Sequence, residues 1–264
     1  MKKILLTAIG LIGVAGLASA SSNFTYTATG TPGNTPDGVD QYSNPLNVWT
    51  LLVTPGSGTG SGQGAYEGTA FSGETLSGWQ IWTSPGSTAN GPGVSGSITA
   101  SDTFAGGALS IGQTVSLNFE MRAATLGTDV GISLLNGSGN AVTFGIFGGE
   151  ASPSNPYTGA GYFYTDAGST YASAGSMGYQ YQTEFNIELT VTGADTYSAV
   201  AGSDSWSGTF SGSLTGIDVF NNSAGNGSDL AFNDLTVVPE PSTWAMSAFG
   251  GLTLFGYLRK FRRA

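Results

Sequence analysis

Several short stretches of the chain alternate between apolar and polar residues, which is the period of a β-strand with one buried face. In residues 115–122, Val, Leu, Phe and Met alternate with Ser, Asn, Glu and Arg, and residues 184–191 repeat the pattern. Residues 130–134 and 142–146 alternate too, and Asn136–Asn140 between them predicts a hairpin loop. Between residues 21 and 238 no amphipathic helical period is convincing, so the pattern predicts about a dozen short strands.

Turn-forming residues separate the predicted strands. Gly193–Asp195 predicts a tight turn, whereas Pro55–Gly64, Ser84–Gly96 and Ser169–Gly178 are rich in Gly and Ser and predict loops. Short strands with turn signals between them favour an antiparallel β-sandwich. We therefore expect an all-β domain over residues 21–237.

The second half of the chain resembles the concanavalin-A-like jelly roll, a fold of lectins and glucanases. The alternating strand Phe185–Val191, the meander after it and the apolar closing stretch Asp229–Val237 carry the resemblance. It implies that the closing strand returns to pair near the first strand. An immunoglobulin-like or carbohydrate-module sandwich is the alternative architecture.

The N-terminus has a composition of its own. Residues 1–20 contain two lysines, an apolar run and the small-residue motif Ala18-Ser19-Ala20. This order predicts a signal peptide with a signal helix, cleaved before Ser21 by the secretion machinery.

Residues 238–264 form a tail of three parts: a Pro-Glu-Pro motif, an apolar run from Trp244 to Leu258 and a basic end. The motif and the basic end comprise Pro239, Glu240, Pro241, Arg259, Lys260, Arg262 and Arg263. The apolar run predicts a hydrophobic transmembrane helix, although it is shorter than the roughly 20 residues that span a bilayer. The basic end predicts a cytoplasmic C-terminus.

This tail resembles the PEP-CTERM sorting signal of Gram-negative bacteria, which is also labelled an ice-binding protein C-terminal domain without implying ice binding. The resemblance implies that an exosortase-type membrane peptidase recognises the tail and removes it. The protein would then be anchored transiently in the inner membrane before reaching the cell surface or the extracellular matrix. An ordinary anchor that stays uncleaved is the alternative.

Charge is distributed unevenly along the chain. Arg122 is the only basic residue between positions 21 and 238, which contain sixteen acidic residues. Proteins bind nucleic acid mainly by neutralising phosphates with Lys and Arg, so we expect no nucleic-acid partner. The acidic balance suits Ca²⁺, which prefers oxygen ligands.

Cysteine and histidine are both absent from the chain. Their absence excludes disulfides, thiolate nucleophiles and Ser-His-Asp triads, and the sequence predicts that the protein is not an enzyme. Residues Glu184, Asn186 and Glu188 resemble the Glu-x-Asp-x-Glu strand of retaining jelly-roll β-glucanases. Here Asn186 replaces the central Asp, and the two glutamates would be about 13 Å apart on a regular strand. Retaining chemistry needs carboxyl groups about 5–5.5 Å apart, so a solvent-facing polar stripe is the alternative.

Two clusters of residues are candidate binding sites. Oxygen ligands for Ca²⁺ could come from Asp218, Asn221, Asn226 and Asp229. A loop of residues that tolerate left-handed backbone is the alternative interpretation of that cluster. Aromatic rings for stacking on sugars could come from Tyr162, Tyr164, Tyr179 and Tyr181. Packing at the sandwich edge is the alternative role of these tyrosines.

The sorting tail and the all-β pattern together predict an exported surface or matrix protein that is associated with extracellular polysaccharide and binds carbohydrate. One alternative is a glycoside hydrolase or lyase of jelly-roll fold. Another is a self-associating matrix protein, because strands with little charge can assemble edge to edge.

Overall fold

The structure is a computed structural model. It describes residues 24–26, 49–56, 62–68, 78–84, 87–88, 91–92, 96–121, 128–147, 161–170, 172–178, 180, 182–223 and 228–238. The predicted signal peptide, its cleavage site and the sorting tail all lie outside these residues. Within them, no helix has the length and apolar character needed to cross a membrane.

The described part of the chain is built from β-strands. Their bounds are β1 Phe24–Tyr26, β2 Thr50–Thr54, β3 Gly62–Gly68, β4 Gly78–Ser84, β5 Ser87–Thr88, β6 Gly91–Pro92, β7 Ser97–Thr103, β8 Thr114–Met121 and β9 Thr128–Asn136. The chain continues with β10 Gly139–Ile146, β11 Gly161–Thr165, β12 Ala172–Gly178, β13 Phe185–Gly193, β14 Thr196–Ala201, β15 Asp204–Thr209, β16 Gly216–Ser223 and β17 Ser228–Val238.

These strands form two large antiparallel sheets. The first sheet has the order β15-β14-β13-β8-β17-β4-β3, and β1 also pairs with β17. The second sheet has the order β12-β11-β10-β9-β16-β7-β2. Strands β5 and β6 form a separate small ladder. The prediction of an all-β antiparallel sandwich of jelly-roll type is confirmed.

Strict alternation builds the core between the two sheets. Phe119 on β8 pairs with Phe185 on β13, and both rings point inward with their centroids 5.4 Å apart. Ile132 on β9 and Val219 on β16 are a buried pair on the opposite sheet. The polar residues of the same strands consequently point away from the core, so each sheet has an outer face.

Three local predictions are confirmed. Strands β9 and β10 form the expected hairpin around Gly137 and Ser138, and β13 turns into β14 after Gly193. The closing strand β17 pairs with β1 at the start of the domain, as the jelly-roll resemblance implies.

The prediction of a loop over Ser169–Gly178 is wrong, because residues 172–178 form the edge strand β12. Gly- and Ser-rich strands show no alternation, so contacts from another element have to define this strand. Asp204, at the start of β15 in the first sheet, accepts backbone hydrogen bonds from Ser176 (2.9 Å) and Met177 (2.8 Å). A side chain on Gly175 would collide with Asp204, so glycine permits this close approach of the two sheets.

Candidate functional site

A groove with a volume of about 450 Å³ lies on the outer face of the second sheet. It crosses the middle of the sheet, from β7 over β16, β9 and β10 to β11 and the residues that follow it. Its polar and aromatic lining includes Thr99, Asp129, Thr143, Phe147, Thr165, Asp166, Asp218, Phe220 and Asn222. A concave site with converging polar groups is the usual form of a ligand-binding site.

A row of oxygen-bearing side chains crosses the second sheet, and three of its members, Asp218, Thr143 and Thr165, line the groove. Ser101, Asp218, Ser133, Thr143 and Thr165 follow one another in register across five neighbouring strands. The hydroxyls of Ser133 and Thr143 are hydrogen-bonded at 2.9 Å. Since strands are spaced about 4.8 Å apart, the row is about 19 Å long. This length suits an extended ligand that lies across the strands.

A pair of glycines lies beside this row on two neighbouring strands. Gly131 on β9 and Gly145 on β10 are directly opposite, and Phe220 on β16 is the other neighbour of Gly131. A Cβ atom on Gly131 would lie against the backbone carbonyl of Phe144, and one on Gly145 against that of Val130. The close approach of the two backbones therefore requires glycine at both positions.

Asp218 is the polar group at the centre of the groove. Its side chain is half-buried, and its Oδ1 is buried without a hydrogen-bond partner. Burial raises the pKa of Asp218 above its ordinary value, and a hydrogen bond with Ser101 opposes this shift. An unsatisfied buried carboxylate oxygen is costly, so it marks a place where a ligand could donate a hydrogen bond.

Asp166 lies at the rim of the groove, next to the end of β11. Its Oδ1 accepts a hydrogen bond from the Gly168 backbone (2.8 Å), and its Oδ2 accepts from the Tyr197 hydroxyl (2.9 Å) and the Thr209 backbone (3.1 Å). These bonds tie the rim to the edge of the first sheet. Asp129 lines the groove on β9, opposite Asn222 on β16.

The predicted Ca²⁺ ligands do not converge in the described residues. Asp218 points into the groove, whereas Asn221 points into the core, where it accepts a hydrogen bond from Thr83 (3.1 Å) and donates one to the Ile81 carbonyl (3.4 Å). Asn226 lies outside the described residues, and only the backbone of Asp229 is described. In the described part of the chain, no three acidic residues are grouped to hold a metal ion.

The tyrosines predicted to stack on sugars have other surroundings where they are described. Tyr162 is only 1% exposed and stacks on Phe144 in the core, and burial raises its pKa well above the ordinary value. Tyr164 is half-buried and stacks on Trp206 at 5.5 Å. Both therefore take the packing role, while Tyr179 and Tyr181 lie outside the described residues.

Glu184 and Glu188 lie on the outer face of the first sheet. Both are exposed, and Asn186 between them donates hydrogen bonds to Ser116 and Asn118, each at 2.9 Å. Asn118 in turn donates a hydrogen bond to Asp234 at 3.2 Å. Polar side chains on this face therefore form hydrogen bonds with one another.

Glu184 has a closer acidic neighbour than Glu188. It precedes Phe185, which pairs with Phe119, so the same register places Glu184 opposite Glu120. The Cβ atoms of such cross-strand neighbours are about 4.5–5.5 Å apart. Burial, followed by the charges of Glu120 and Asp234, raises the pKa of Glu184.

Several groove residues are absent from the sequence-based predictions. Asp129 and Thr143 belong to strands recognised only by their apolar residues, whereas Thr165 ends and Asp166 follows β11, a strand that the alternation does not predict. A usable signal existed for Asn222, because it shares the parity of Asp218 on β16 and therefore the same face.

No family model and no curated protein sequence matches this chain. Among solved structures, a native glycosidic hydrolase has a TM-score of 0.47 at 11% identity, over 84% of this chain and 98% of that chain. The alginate lyase from Corynebacterium sp. has a TM-score of 0.40 at 13% identity, over 83% and 94%. The cellulose induced protein Cip1 has a TM-score of 0.44 at 10% identity, over 72% and 90%.

The prediction that the protein is not an enzyme is overturned, because the chains that match its fold include alginate lyases and a glycosidic hydrolase. At this level of identity the likeness concerns the fold and assigns no reaction to this chain. It is a jelly-roll sandwich whose structural neighbours include carbohydrate-related proteins.

Proposed function

We propose that the protein is an exported surface or matrix protein whose groove on the second sheet binds a segment of extracellular polysaccharide. The observation that carries this proposal is the open groove over a row of hydroxyl and carboxylate groups, with Asp218 Oδ1 lacking a hydrogen-bond donor.

The chemistry of the groove suits a sugar chain. Sugar hydroxyls both donate and accept hydrogen bonds, so they can pair with Thr99, Thr143 and Asn222. A rotation of the Asp218 side chain toward the groove would also bring its buried, unsatisfied Oδ1 to a sugar hydroxyl. The groove crosses several strands, which leaves room for more than one sugar unit in a row. Binding would therefore be spread over several weak polar contacts, with Asp218 among them.

A retention assay on insoluble polysaccharides tests the proposal. The double variant Asp218→Asn, Asn222→Ala removes two groove contacts, and we expect its affinity for a retained polysaccharide to fall about tenfold or more. The matched control is Glu188→Gln, which removes one exposed carboxylate from the opposite sheet and should bind as the unaltered protein does. Equal retention of the groove variant and the control would exclude the groove as the binding site.

The export route is part of the same proposal and has its own test. The signal peptide and the Pro239-Glu240-Pro241 tail support secretion followed by exosortase-type processing. Replacing the three motif residues with alanine should leave a membrane-retained form of higher mass. Unchanged mass and unchanged release of that variant would remove the sorting part of the proposal.

Cleavage of a glycosidic bond is a second candidate function, favoured by Glu184, an exposed carboxyl group with a raised pKa on the first sheet. Retaining hydrolysis uses two carboxyl groups about 5–5.5 Å apart, one with a raised pKa as proton donor. Glu184 has the raised pKa of a proton donor, whereas its neighbour Glu120 is fully buried and acts on that pKa without contacting a sugar. Release of reducing sugar that Glu184→Gln abolishes would support this function, and release that survives the substitution would exclude Glu184 as the acid.

A further inference from the structure

The two large sheets end in four edge strands, and the edges at one side of the sandwich are tied by side chains. There β12 donates backbone hydrogen bonds from Ser176 (2.9 Å) and Met177 (2.8 Å) to Asp204. The end of β15 is held in a similar way, because the Thr209 backbone donates a hydrogen bond to Asp166 (3.1 Å). Backbone groups that already have such partners are not available to a strand from another molecule.

The other side of the sandwich ends in β2 and β3. In the described part of the chain, β2 pairs with β7 alone. Exposed positions alternate with partly buried ones along β2, and Leu52 at its centre is 68% exposed. Strand β3 contains Glu67 and several glycines, which are features that oppose the addition of a further strand. Strand β2 contains neither charge nor glycine, so it is the edge that is best suited to pair with another strand.

The sequence of β2 is complementary to itself. Two copies of the strand can align antiparallel with the two Leu52 residues opposite each other. Thr50 of one copy then lies opposite Thr54 of the other. Leu51 lies opposite Val53 in the same alignment. Directly opposite residues point to the same face of a sheet, so the threonine pairs flank the leucine pair on the outer face, while the remaining apolar pairs lie on the core side.

The charge of the chain restricts where two copies can meet. Residues 21–238 contain sixteen acidic residues and one basic residue, so most surfaces of two copies repel each other. Residues 41–66, which include β2, contain no charged residue. Thr99 and Ser101, which pair with β2 from the neighbouring strand, are neutral as well. Two copies can therefore approach at β2 without bringing like charges side by side.

We infer that β2 pairs with β2 of a second copy of this chain and forms a two-fold symmetric dimer. Such a dimer uses the same patch on both subunits, which the self-complementary strand provides. Because the ladder has only five residues on each strand, we expect weak association that depends on protein concentration. The two-fold axis is perpendicular to the sheet, so both grooves would lie on the same face of one continuous sheet.

Disulfide trapping tests the pairing, because the chain contains no natural cysteine. In the full chain, Leu52→Cys places two thiols opposite each other, near the separation that a disulfide requires. Under mild oxidation we expect about tenfold more covalent dimer from Leu52→Cys than from Ile111→Cys, which is a 52% exposed position outside the strands. Thr50→Cys should also give much less dimer, because Thr50 faces Thr54 and not itself. Equal cross-linking of Leu52→Cys and either control would overturn the inference.

A charge at the centre of β2 provides a second test without a cross-link. Leu52→Glu places two carboxylates opposite each other, whereas Ile111→Glu adds the same charge elsewhere. Sedimentation of the full chain in mild detergent, without polysaccharide, should show self-association that is about tenfold or more weaker for Leu52→Glu and unchanged for Ile111→Glu. Circular dichroism checks that both variants fold.

Equal weakening by both glutamate variants would overturn the dimer, and so would association that Leu52→Glu leaves unchanged or an unaltered protein that does not associate. Because no sugar is present, these outcomes are independent of the proposed polysaccharide binding.

Discussion

The outer faces of both sheets carry acidic side chains, but the hydrogen bonding of these side chains differs between the two faces. On the first sheet, Asn186, Asn118 and Asp234 are linked by hydrogen bonds, and Glu120 is fully buried although it faces outward. On the second sheet, Asp218 has a buried oxygen with no partner and lies in an open groove. Acid content alone therefore does not distinguish the two faces, whereas an unsatisfied carboxylate oxygen beside open space makes the second sheet the candidate binding face.

The pKa values of Glu184 on the first sheet and Asp218 on the second are both raised, but the causes are not identical. For Glu184, burial comes first and the charges of Glu120 and Asp234 add to it. For Asp218, burial alone raises the pKa.

The largest expected effect is a loss of unfolding free energy when a glycine within a strand of either sheet is replaced by alanine. Gly131→Ala would drive a Cβ against the backbone of Phe144, and we expect a loss of about 3 kcal/mol or more in unfolding free energy. On the first sheet, the nearest atom to a Cβ on Gly64 is Trp82 Nε1 at 2.7 Å, a side chain that can move. Gly64→Ala should therefore cost less, about 1–2 kcal/mol.

Urea unfolding of the two variants checks this order, and Gly137→Ala is the control because no atom lies near its added Cβ. A larger loss of unfolding free energy for Gly64→Ala than for Gly131→Ala would contradict the importance that we assign to the close approach of β9 and β10.

The next effect tests whether the network on the first sheet is structural. Asn118→Ala removes the central partner of Asn186 and Asp234, so we expect a cost of about 1–3 kcal/mol in unfolding free energy. Polysaccharide retention should stay unchanged, because this face is opposite the groove. Chemical unfolding measures the stability, and the retention assay measures the binding. Weakened retention by a folded Asn118→Ala protein would indicate that the ligand binds to the first sheet and would contradict binding in the groove.

Asp218→Asn, unlike Asn118→Ala, should increase the stability of the protein and weaken its retention on polysaccharide. A raised folded-state pKa favours folding only below the unfolded-state pKa, and this contribution is lost as pH rises through the folded-state pKa. At pH 7 the neutral amide should therefore increase the unfolding free energy, by about 0.5–1 kcal/mol after allowance for solvent screening at a half-buried site. Retention of polysaccharide should weaken at the same time.

Unfolding curves at pH 3 and pH 7 check the sign for Asp218→Asn, since the gain should appear at pH 7 and vanish at pH 3. A variant that is less stable at pH 7 and still binds normally would contradict the role of Asp218 as a ligand-binding group.

The smallest effect belongs to Glu184→Gln. Its raised pKa has the same sign, so the substitution should stabilise the protein above the folded-state pKa and have no effect at pH 3. Because Glu184 is exposed, we expect only a few tenths of a kcal/mol at pH 7. The same unfolding series measures it, with Glu188→Gln as control. Equal shifts in both variants would show that general surface charge, and not the Glu120 neighbour, is responsible.

Much of the fold was predictable because its strongest signals are local. Alternation identified β8 and β13, and turn residues identified the β9–β10 hairpin. The strand β12 was missed because its Gly- and Ser-rich sequence has no alternation, and it is defined by its pairing with β11 and its bonds to Asp204. A strand that depends on distant partners leaves no local pattern.

The candidate site was predicted only in part. Asp218 was identified, but it was grouped with Asn221, three residues away, which faces the opposite side of the same strand. Asp218 and Asn222 are four residues apart on β16, so they face the same side of the sheet. Asp129, Thr143 and Thr165 come from three other strands, and strand order cannot be deduced from alternation.

The all-β sandwich, its acidity and the core-facing residues of the strongly alternating strands can be deduced from the amino-acid order, because they follow from a period of two and from composition. The neighbours of each outward side chain become known only in the folded chain, since register and strand order depend on contacts far apart in the sequence. The tertiary structure alone joined Ser101, Asp218, Ser133, Thr143 and Thr165 into one row. It alone left Asp218 Oδ1 without a donor, while it linked Asn186 and Asn118 on the first sheet by a hydrogen bond.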